Sequence, residues 1–443
     1  MRITTRALFT GRLGRIVLAV LFSLFVVGAS LGHERSARAA SSITVRISVD
    51  NWVLQEIPMK KLAAEYTRLH PGVNIEIDTA LDKWDTKALA EIKQSGHPLW
   101  DAHMVSTPFA DLDAHLAEGL FLPFDPYLAA SPEKGARELK SAMIPTLLAD
   151  SSRHGRLYSI PYSFEIVGLE WRPDLTAQAG IHTPPRTWAE LEAMIPKLAA
   201  HLRGRRAYAL TTNGSLHTMQ EAFIMSASKH PFTKDGLIDW MSPQAQQALV
   251  FMKKLSTMKG VGPQLNFGAD QLWTAGFVDL YIGQDSRTGW IKKLLGPDAA
   301  AFAPMPERCV GCGSGQVFWG NGISLLHGAL HPQAATNFIV WAFGPADSAG
   351  TGLATLKSGK TPVYSYWIDK VRHDSAFAQY RWMLPMFDLI NHSIPQPATP
   401  YWSLEDTVAQ TWWKKYMTTD MTAKEYAQHV IHDVQAAIKR AKV

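Results

Sequence analysis

The chain has 443 residues, 47% hydrophobic and 19% charged, with two cysteines and a formal net charge of +5. That apolar content excludes a disordered chain, and two cysteines exclude a disulfide-stapled scaffold. All of the net charge lies in residues 1–39, where six arginines face Glu34; residues 40–443 balance at 38 basic and 38 acidic, so bulk charge gives no argument for nucleic acid or an anionic membrane surface.

The first 39 residues read as a secretory signal: a basic stretch from Arg2 to Arg15, an apolar run from Ile16 to Val27, and small residues ending in Ala37-Arg38-Ala39, with cleavage near Ala39. The uncharged run falls short of the roughly 20 residues of a membrane span. The 404 residues that follow exceed the roughly 250–300 at which a single core stops growing, so two domains are expected. Thr44–Val49 alternates β-branched and polar residues, which predicts a strand. Pro58–Leu69 predicts a helix stopped by Pro71-Gly72, Val73–Ile77 a second strand, Trp84–Gln94 a helix, and Ala102–Val105 a buried strand. This alternation predicts α/β layers with parallel pairing, whose ligands sit beyond the carboxyl ends of the strands, after Val49 and Val105. Further on, Gly155–Trp171 is rich in aromatic and β-branched residues. Thr187 with Glu190, and Thr422 with Glu425, stand at capping-box spacing before helices reaching Ala200 and Lys442; Ser242-Pro243 starts another helix, and Pro332–Phe343 is a fourth.

Several segments, in order, resemble one known family. They are His70-Pro71-Gly72-Val73, Trp100-Asp101-Ala102, Gly119-Leu-Phe-Leu-Pro-Phe124, His154-Gly-Arg-Leu-Tyr-Ser-Ile-Pro161, Ala179-Gly180-Ile181 with Pro184-Pro-Arg-Thr-Trp-Ala-Glu-Leu191, and Ile394-Pro395-Gln396 with Tyr401-Trp402. Together they are similar to the extracellular solute-binding proteins of carbohydrate ABC importers, of the maltose-binding type. The resemblance implies an α/β, periplasmic-binding-protein-like fold: two lobes, a hinge and a ligand cleft. Lobe 1 would comprise 40–160 plus 318–358, and lobe 2 161–317 plus 359–443. Crossovers would lie near Ser159–Glu170, Ser314–Gly322 and Ser358–Tyr364. The expected function is capture of a sugar or oligosaccharide in the periplasm and delivery to a membrane permease, by a monomer that needs no cofactor or metal and breaks no bond. A polyol or glycerophosphodiester ligand, or a secreted carbohydrate-active enzyme, is the alternative.

A sugar site needs flat aromatic faces and planar polar side chains. By resemblance Trp402 is the stacking residue, flanked by Tyr401, and Glu221 and Phe223 form a contact segment. Trp52 follows the first strand by position alone. Asp285 and Arg287 follow the apolar run Leu280–Ile282 where the family places a ligand loop. Trp319 and Asn321 fall in the second crossover, Phe164 and Glu165 in the first, and Tyr364 in the third. Arg172 and Arg287 leave room for a phosphorylated ligand. Ser358-Gly359-Lys360-Thr361 imitates the end of a phosphate-binding loop, but the required earlier glycine is Ala354, so a nucleotide site is rejected. His327 and His331 lie four apart with no carboxylate near them in sequence, and read as loop residues. Cys309 and Cys312 lack the second ligand pair of a zinc site; in an oxidising compartment they predict a local loop disulfide, with a dithiol oxidoreductase as the alternative.

Overall fold

The computed structural model describes residues 42–80, 83–105, 108–202, 204–209, 215–261, 269–394, 397 and 399–441. The signal expected over residues 1–39 and its cleavage near Ala39 lie outside the described residues, as do Pro395 and Gln396 of the last family-like segment. The strands are β1 (Ile43–Val49), β2 (Val73–Thr79), β3 (Ala102–Val105), β4 (Phe121–Leu122), β5 (Ser152–Arg153), β6 (Arg156–Leu157), β7 (Ile160–Trp171), β8 (Arg206–Ala209), β9 (Val278–Gln284), β10 (Ala301–Ala303) and β11 (Phe318–Leu326). Three helices bear on the site: α1 (Asn51–Glu56), α2 (Ser286–Leu295) and α3 (Trp402–Thr418).

Among the described residues one nine-stranded sheet runs in the order β2-β1-β3-β11-β7-β9-β8, with β10 added to β7 and β4 to β11. β1 pairs in parallel with β2 and β3, as the strand–helix alternation predicts, whereas β11 runs antiparallel to both β3 and β7. The predicted caps form. Thr187 Oγ1 accepts from Glu190 N at 3.2 Å, Ser242 Oγ accepts from Ala245 N at 3.2 Å, and Thr422 and Glu425 exchange both bonds of a capping box. At the first of these the return bond shifts by one residue, since Glu190 accepts from Arg186 N at 2.6 Å. Each cap satisfies backbone donors that the first helical turn leaves unpaired.

Two large cores divide the chain. The first holds Val45, Ile47, Val49, Ile166 and Phe318, together with the run from Val363 to Ile390; the second begins at Val167 and holds Val317, Trp402 and Val434. β7 therefore changes core between Ile166 and Val167, and β11 changes near Phe318. Residues 363–390 were expected in the second lobe but pack in the first core, because their helices direct Trp367, Val371, Met386, Phe387 and Ile390 inward. The third crossing falls after Ile390, not near 358–364.

On the opposite face of the first core's sheet, Ser48, His103 and Ser324 stand in register on β1, β3 and β11, all fully buried. His103 stacks on Trp84 with ring centroids 3.6 Å apart, its Nε2 lies 3.9 Å from Asp50 Oδ1, and His115 packs on the same indole. Burial, and then the His115 charge, lower His103 to about 3 from its ordinary 6.5. Folded His103 stays neutral while the unfolded chain takes up a proton below pH 6.5, so this contribution is complete above 6.5 and is lost as pH falls toward 3. His103→Phe keeps the stack and removes the proton. Its melting temperature should fall less steeply than that of the wild type below pH 6.5; parallel curves would clear His103 of the acid sensitivity.

Candidate ligand-binding cleft

Period-two alternation along β7 sends Phe164 into the first core and Glu165 to the other side. Trp319 on β11 is the register partner of Glu165, and Asn321 that of Ser163, so these side chains meet on one face. Helix α1 begins directly after β1, where a ligand loop was expected; Trp52 and Glu56 are four apart on it and share a face. Helix α2 follows β9 and brings Arg287, Trp290 and Lys293 three residues apart along a second face. These elements enclose a cleft of about 770 Å³, floored by Glu165, Trp319 and Asn321, with α1, Ser358 and Lys360 on one side and α2 with Gln284 on the other. The volume lies in the range of small-molecule sites.

A buried ion triplet dominates the floor. Lys360 Nζ lies 2.6 Å from Glu56 Oε2 and 3.0 Å from Glu165 Oε1, and 4.9 Å from the centre of the Trp52 ring. Burial opposes charge on Glu165, but Lys360 and then Arg287 outweigh it and hold the carboxyl below its ordinary value. Burial would likewise lower Lys360, but Glu165 and Glu56 raise it. The pairing therefore contributes fully above the ordinary carboxyl value of 4.5 and below the ordinary lysine value of 10.5. Asn321 donates to Ser163 Oγ at 3.0 Å. The Arg287 guanidinium sits 4.3 Å over the Trp290 ring.

Of the residues proposed from sequence, Trp52, Glu165, Arg287, Trp319 and Asn321 come together in this cleft. The others do not line it. Trp402 lies in the second core, where Trp402, Ala409, Trp413 and Tyr416 share one face of α3. Tyr401 is the half-buried residue that precedes that helix. Phe223 packs against Trp188 and Phe251, and Glu221 is buried on the same short helix. Phe164 and Tyr364 belong to the first core, the Tyr364 hydroxyl donating to Phe343 O at 2.8 Å. Asp285 is fully buried and accepts from Ile166 N at 3.0 Å, tying α2 to the strand that changes core. Burial and the nearby Glu165 charge push Asp285 well above the aspartate range. Arg172 is engaged outside the cleft by both carboxylate oxygens of Asp174.

Sequence reasoning missed Gln55, Glu56, Gln284, Trp290, Lys293, Ser358 and Lys360. Helical spacing from Trp52 and Arg287 would have found Glu56, Trp290 and Lys293. The rejected Ser358–Thr361 segment has separate duties: Gly359 caps a helix in the left-handed region at φ +92°, Lys360 forms the triplet, and Thr361 Oγ1 donates to Phe164 O at 2.6 Å. His331 N donates to Asp101 Oδ1 at 2.7 Å ahead of the Pro332 helix, and among the described residues no group of His, Cys, Asp and Glu is arranged to hold a metal. Cys309 and Cys312 are disulfide-bonded, with Cα atoms 5.3 Å apart. Behind their loop lies a second recess of about 560 Å³; its walls are mainly Pro, Gly and aliphatic, with no Trp, Tyr or Phe to stack a sugar.

The model of the bacterial extracellular solute-binding protein family matches residues 61–362. The chain belongs to that family. Solved structures agree on the fold at low identity. The sugar-binding protein MalE from the phytopathogen Xanthomonas citri is 16% identical with a TM-score of 0.72, covering 90% of this chain and 98% of that one. The maltose-bound MalE3 of T. maritima gives 16% and 0.72, with 89% and 99% covered. A solute-binding protein from Agrobacterium vitis S4 with bound D-mannitol gives 17% and 0.71, with 90% and 99% covered. The family consists of extracellular binding proteins, and among the described residues no helix of this member is long and apolar enough to cross a membrane.

Removing the lysine of the triplet leaves two carboxylates without their cation. Lys360→Met should cost about 3–5 kcal/mol, read as a lower denaturation midpoint. Adding Glu165→Gln should recover part of that loss, whereas strictly additive losses would show that the two residues do not interact.

Proposed function

We propose that this family member captures a sugar or polyol in the cleft between its two cores and hands it to the membrane permease of an ABC importer. The observation that carries the reading is the cleft itself, where the half-buried Trp52 brings an aromatic ring beside the planar polar groups of Gln284 and Arg287, over a floor that includes Trp319 and Asn321. Proteins similar in fold carry maltose and D-mannitol. The two sides belong to different cores joined by β7 and β11, so a ligand touching both α1 and α2 favours the closed arrangement through contacts that an open one lacks. In this reading the lobes are the units built around the two cores, closure bends the crossings at Ile166–Val167 and near Phe318, and the leader expected over residues 1–39 sends the protein to the periplasm.

The carboxylates that line the cleft support binding without bond cleavage. A glycosidase needs an acid whose pKa is raised. Glu165 is shifted the other way, and both Glu165 and Glu56 contact the same lysine.

A thermal-shift screen over sugars and polyols tests the proposal. A ligand at 100 times its dissociation constant should stabilise the protein by about 2.7 kcal/mol. Trp52→Ala, at a half-buried position, should abolish the shift with the fold intact. Trp402→Ala should lower the melting temperature of the unliganded protein, at a cost of about 3–5 kcal/mol for emptying a core site, and keep the ligand shift. No response to any sugar or polyol, neutral or charged, would overturn the reading.

A further inference from the structure

We propose that the Cys309–Cys312 disulfide is a thiol-exchange site, and that its reduction by a dithiol loosens a brace between the two cores at the third crossing. The brace sets how freely the cores move against each other, whatever the cleft binds.

The loop from Met305 to Gln316 is closed on itself, since Met305 N donates to Gln316 Oε1 at 3.0 Å. Three segments hold it. Glu307 N donates to Arg186 O at 3.0 Å and Glu307 O accepts from Trp188 N at 2.8 Å, on either side of the Thr187 cap. Arg308 N and Ser314 N donate to Ser226 O and Met225 O, each at 2.9 Å, at the end of the helix Glu221–Met225. Gln316 N donates to Ser393 Oγ at 3.3 Å, and that hydroxyl donates in turn to Leu389 O at 2.9 Å in the helix Leu384–Ile390. Trp188 and Met225 belong to the second core, whereas Phe387 and Ile390 belong to the first. One loop therefore ties both cores together just where the chain passes between them. The fit is close: a Cβ on Gly315 would lie 2.8 Å from His392 O.

The loop has little of its own to hold that shape. Gly311, Gly313 and Gly315 give its backbone wide freedom. The disulfide removes part of that freedom three residues before the contact with the crossing. The recess of about 560 Å³ lies at the same joint, with Met305, Val310 and Gln316 on the loop side and Leu389, His392 and Ile394 on the other.

The two sulfurs differ in a way that suits exchange. Cys309 is exposed and Val310 at the loop tip is 68% exposed, while Cys312 is half-buried. Arg308 Nη2 donates to Cys312 Sγ at 3.5 Å. One thiolate of a dithiol attacks Cys309 Sγ, and the S–S bond breaks with its electron pair on Cys312 Sγ. The Arg308 guanidinium stabilises that leaving thiolate, which then takes a proton from solvent. The second thiolate of the reductant attacks its own partner sulfur and releases Cys309, which is protonated in turn. The reductant departs as a disulfide, and two electrons and two protons have passed to the loop.

The test uses residues 40–443 without ligand. Dithiothreitol should reduce the folded protein, read by alkylation and mass. Arg308→Gln should slow that reduction at least about fivefold and Arg308→Lys should slow it less, since a nearby cation favours the leaving thiolate. A disulfide that stays intact in the folded protein, or a rate indifferent to Arg308, would overturn the exchange site. Hydrogen exchange then reads the brace. Reduction, or Cys309→Ser with Cys312→Ser, should speed exchange at the amides of Gln316, His392 and Ser393 about fivefold or more, the scale of one hydrogen bond, and leave β1 unchanged. Ser393→Ala should give the same rise in the oxidised protein, and reduction should then add little. Faster exchange confined to residues 307–315, with 392 and 393 unmoved, would overturn the brace. A sugar screen without response would sink the capture reading and leave the brace standing.

Discussion

The molecule depends on a lysine held between two carboxylates where its two cores meet. Lys360 reaches Glu56 on the first core's side and Glu165 on the strand that passes between cores. A buried charge is costly without a partner, so each of the three restricts where the other two can be. The triplet draws α1, β7 and the turn after Ser358 to one point, and that point is the cleft floor. The same contacts set the cleft's electrostatics, because they engage both of its carboxylates, and Arg287 from α2 adds a second positive charge beside Glu165.

Strand β7 makes this arrangement compatible with two cores. Its twelve residues are all buried, so it reads as a continuous apolar and aromatic run with polar interruptions rather than as a strand with one wet face. Ile160, Tyr162, Phe164 and Ile166 serve the first core, and Val167, Leu169 and Trp171 the second. Glu165 falls at the change, where neither core is complete, and a charged side chain there can find partners. Asp285 secures the same place from the other side through Ile166 N. Gly289 on α2 approaches Gly359 so closely that a Cβ would lie 2.9 Å from the Gly359 Cα, so the two sides touch beside the cleft without an intervening side chain.

Much of the fold was legible in sequence because local signals and tertiary demands agree. The helices opened by Thr187, Ser242 and Thr422 form where their caps stand, and β1, β2 and β3 begin and end within two residues of their predicted bounds. The crossover positions Phe164, Glu165, Trp319, Asn321 and Tyr364 all came by resemblance; alternation along β7 and β11 then puts Glu165, Trp319 and Asn321 on the cleft side and Phe164 in the first core. Residues carried over by resemblance to helical or helix-flanking positions fared worse. Trp402 and Phe223 have the chemistry of sugar contacts, but on this chain their helical faces turn inward to Trp413 and Trp188. Lys360 was hidden for a different reason. Its partners are far away in sequence, and its neighbours imitate an unrelated motif.

This divides the problem of specificity in two. The floor, built from Glu165, Trp319, Asn321 and Lys360, is constrained by packing and ion pairing, so changes there are coupled to stability. The α2 side is different: Trp290 and Lys293 are exposed, so substitution there disturbs little of the packing. A scaffold of this kind can keep its fold while the chemistry along one helix is altered. Low identity to proteins of the same fold is then compatible with a shared architecture, since the constrained contacts hold the two cores together and the exposed positions are free of that demand.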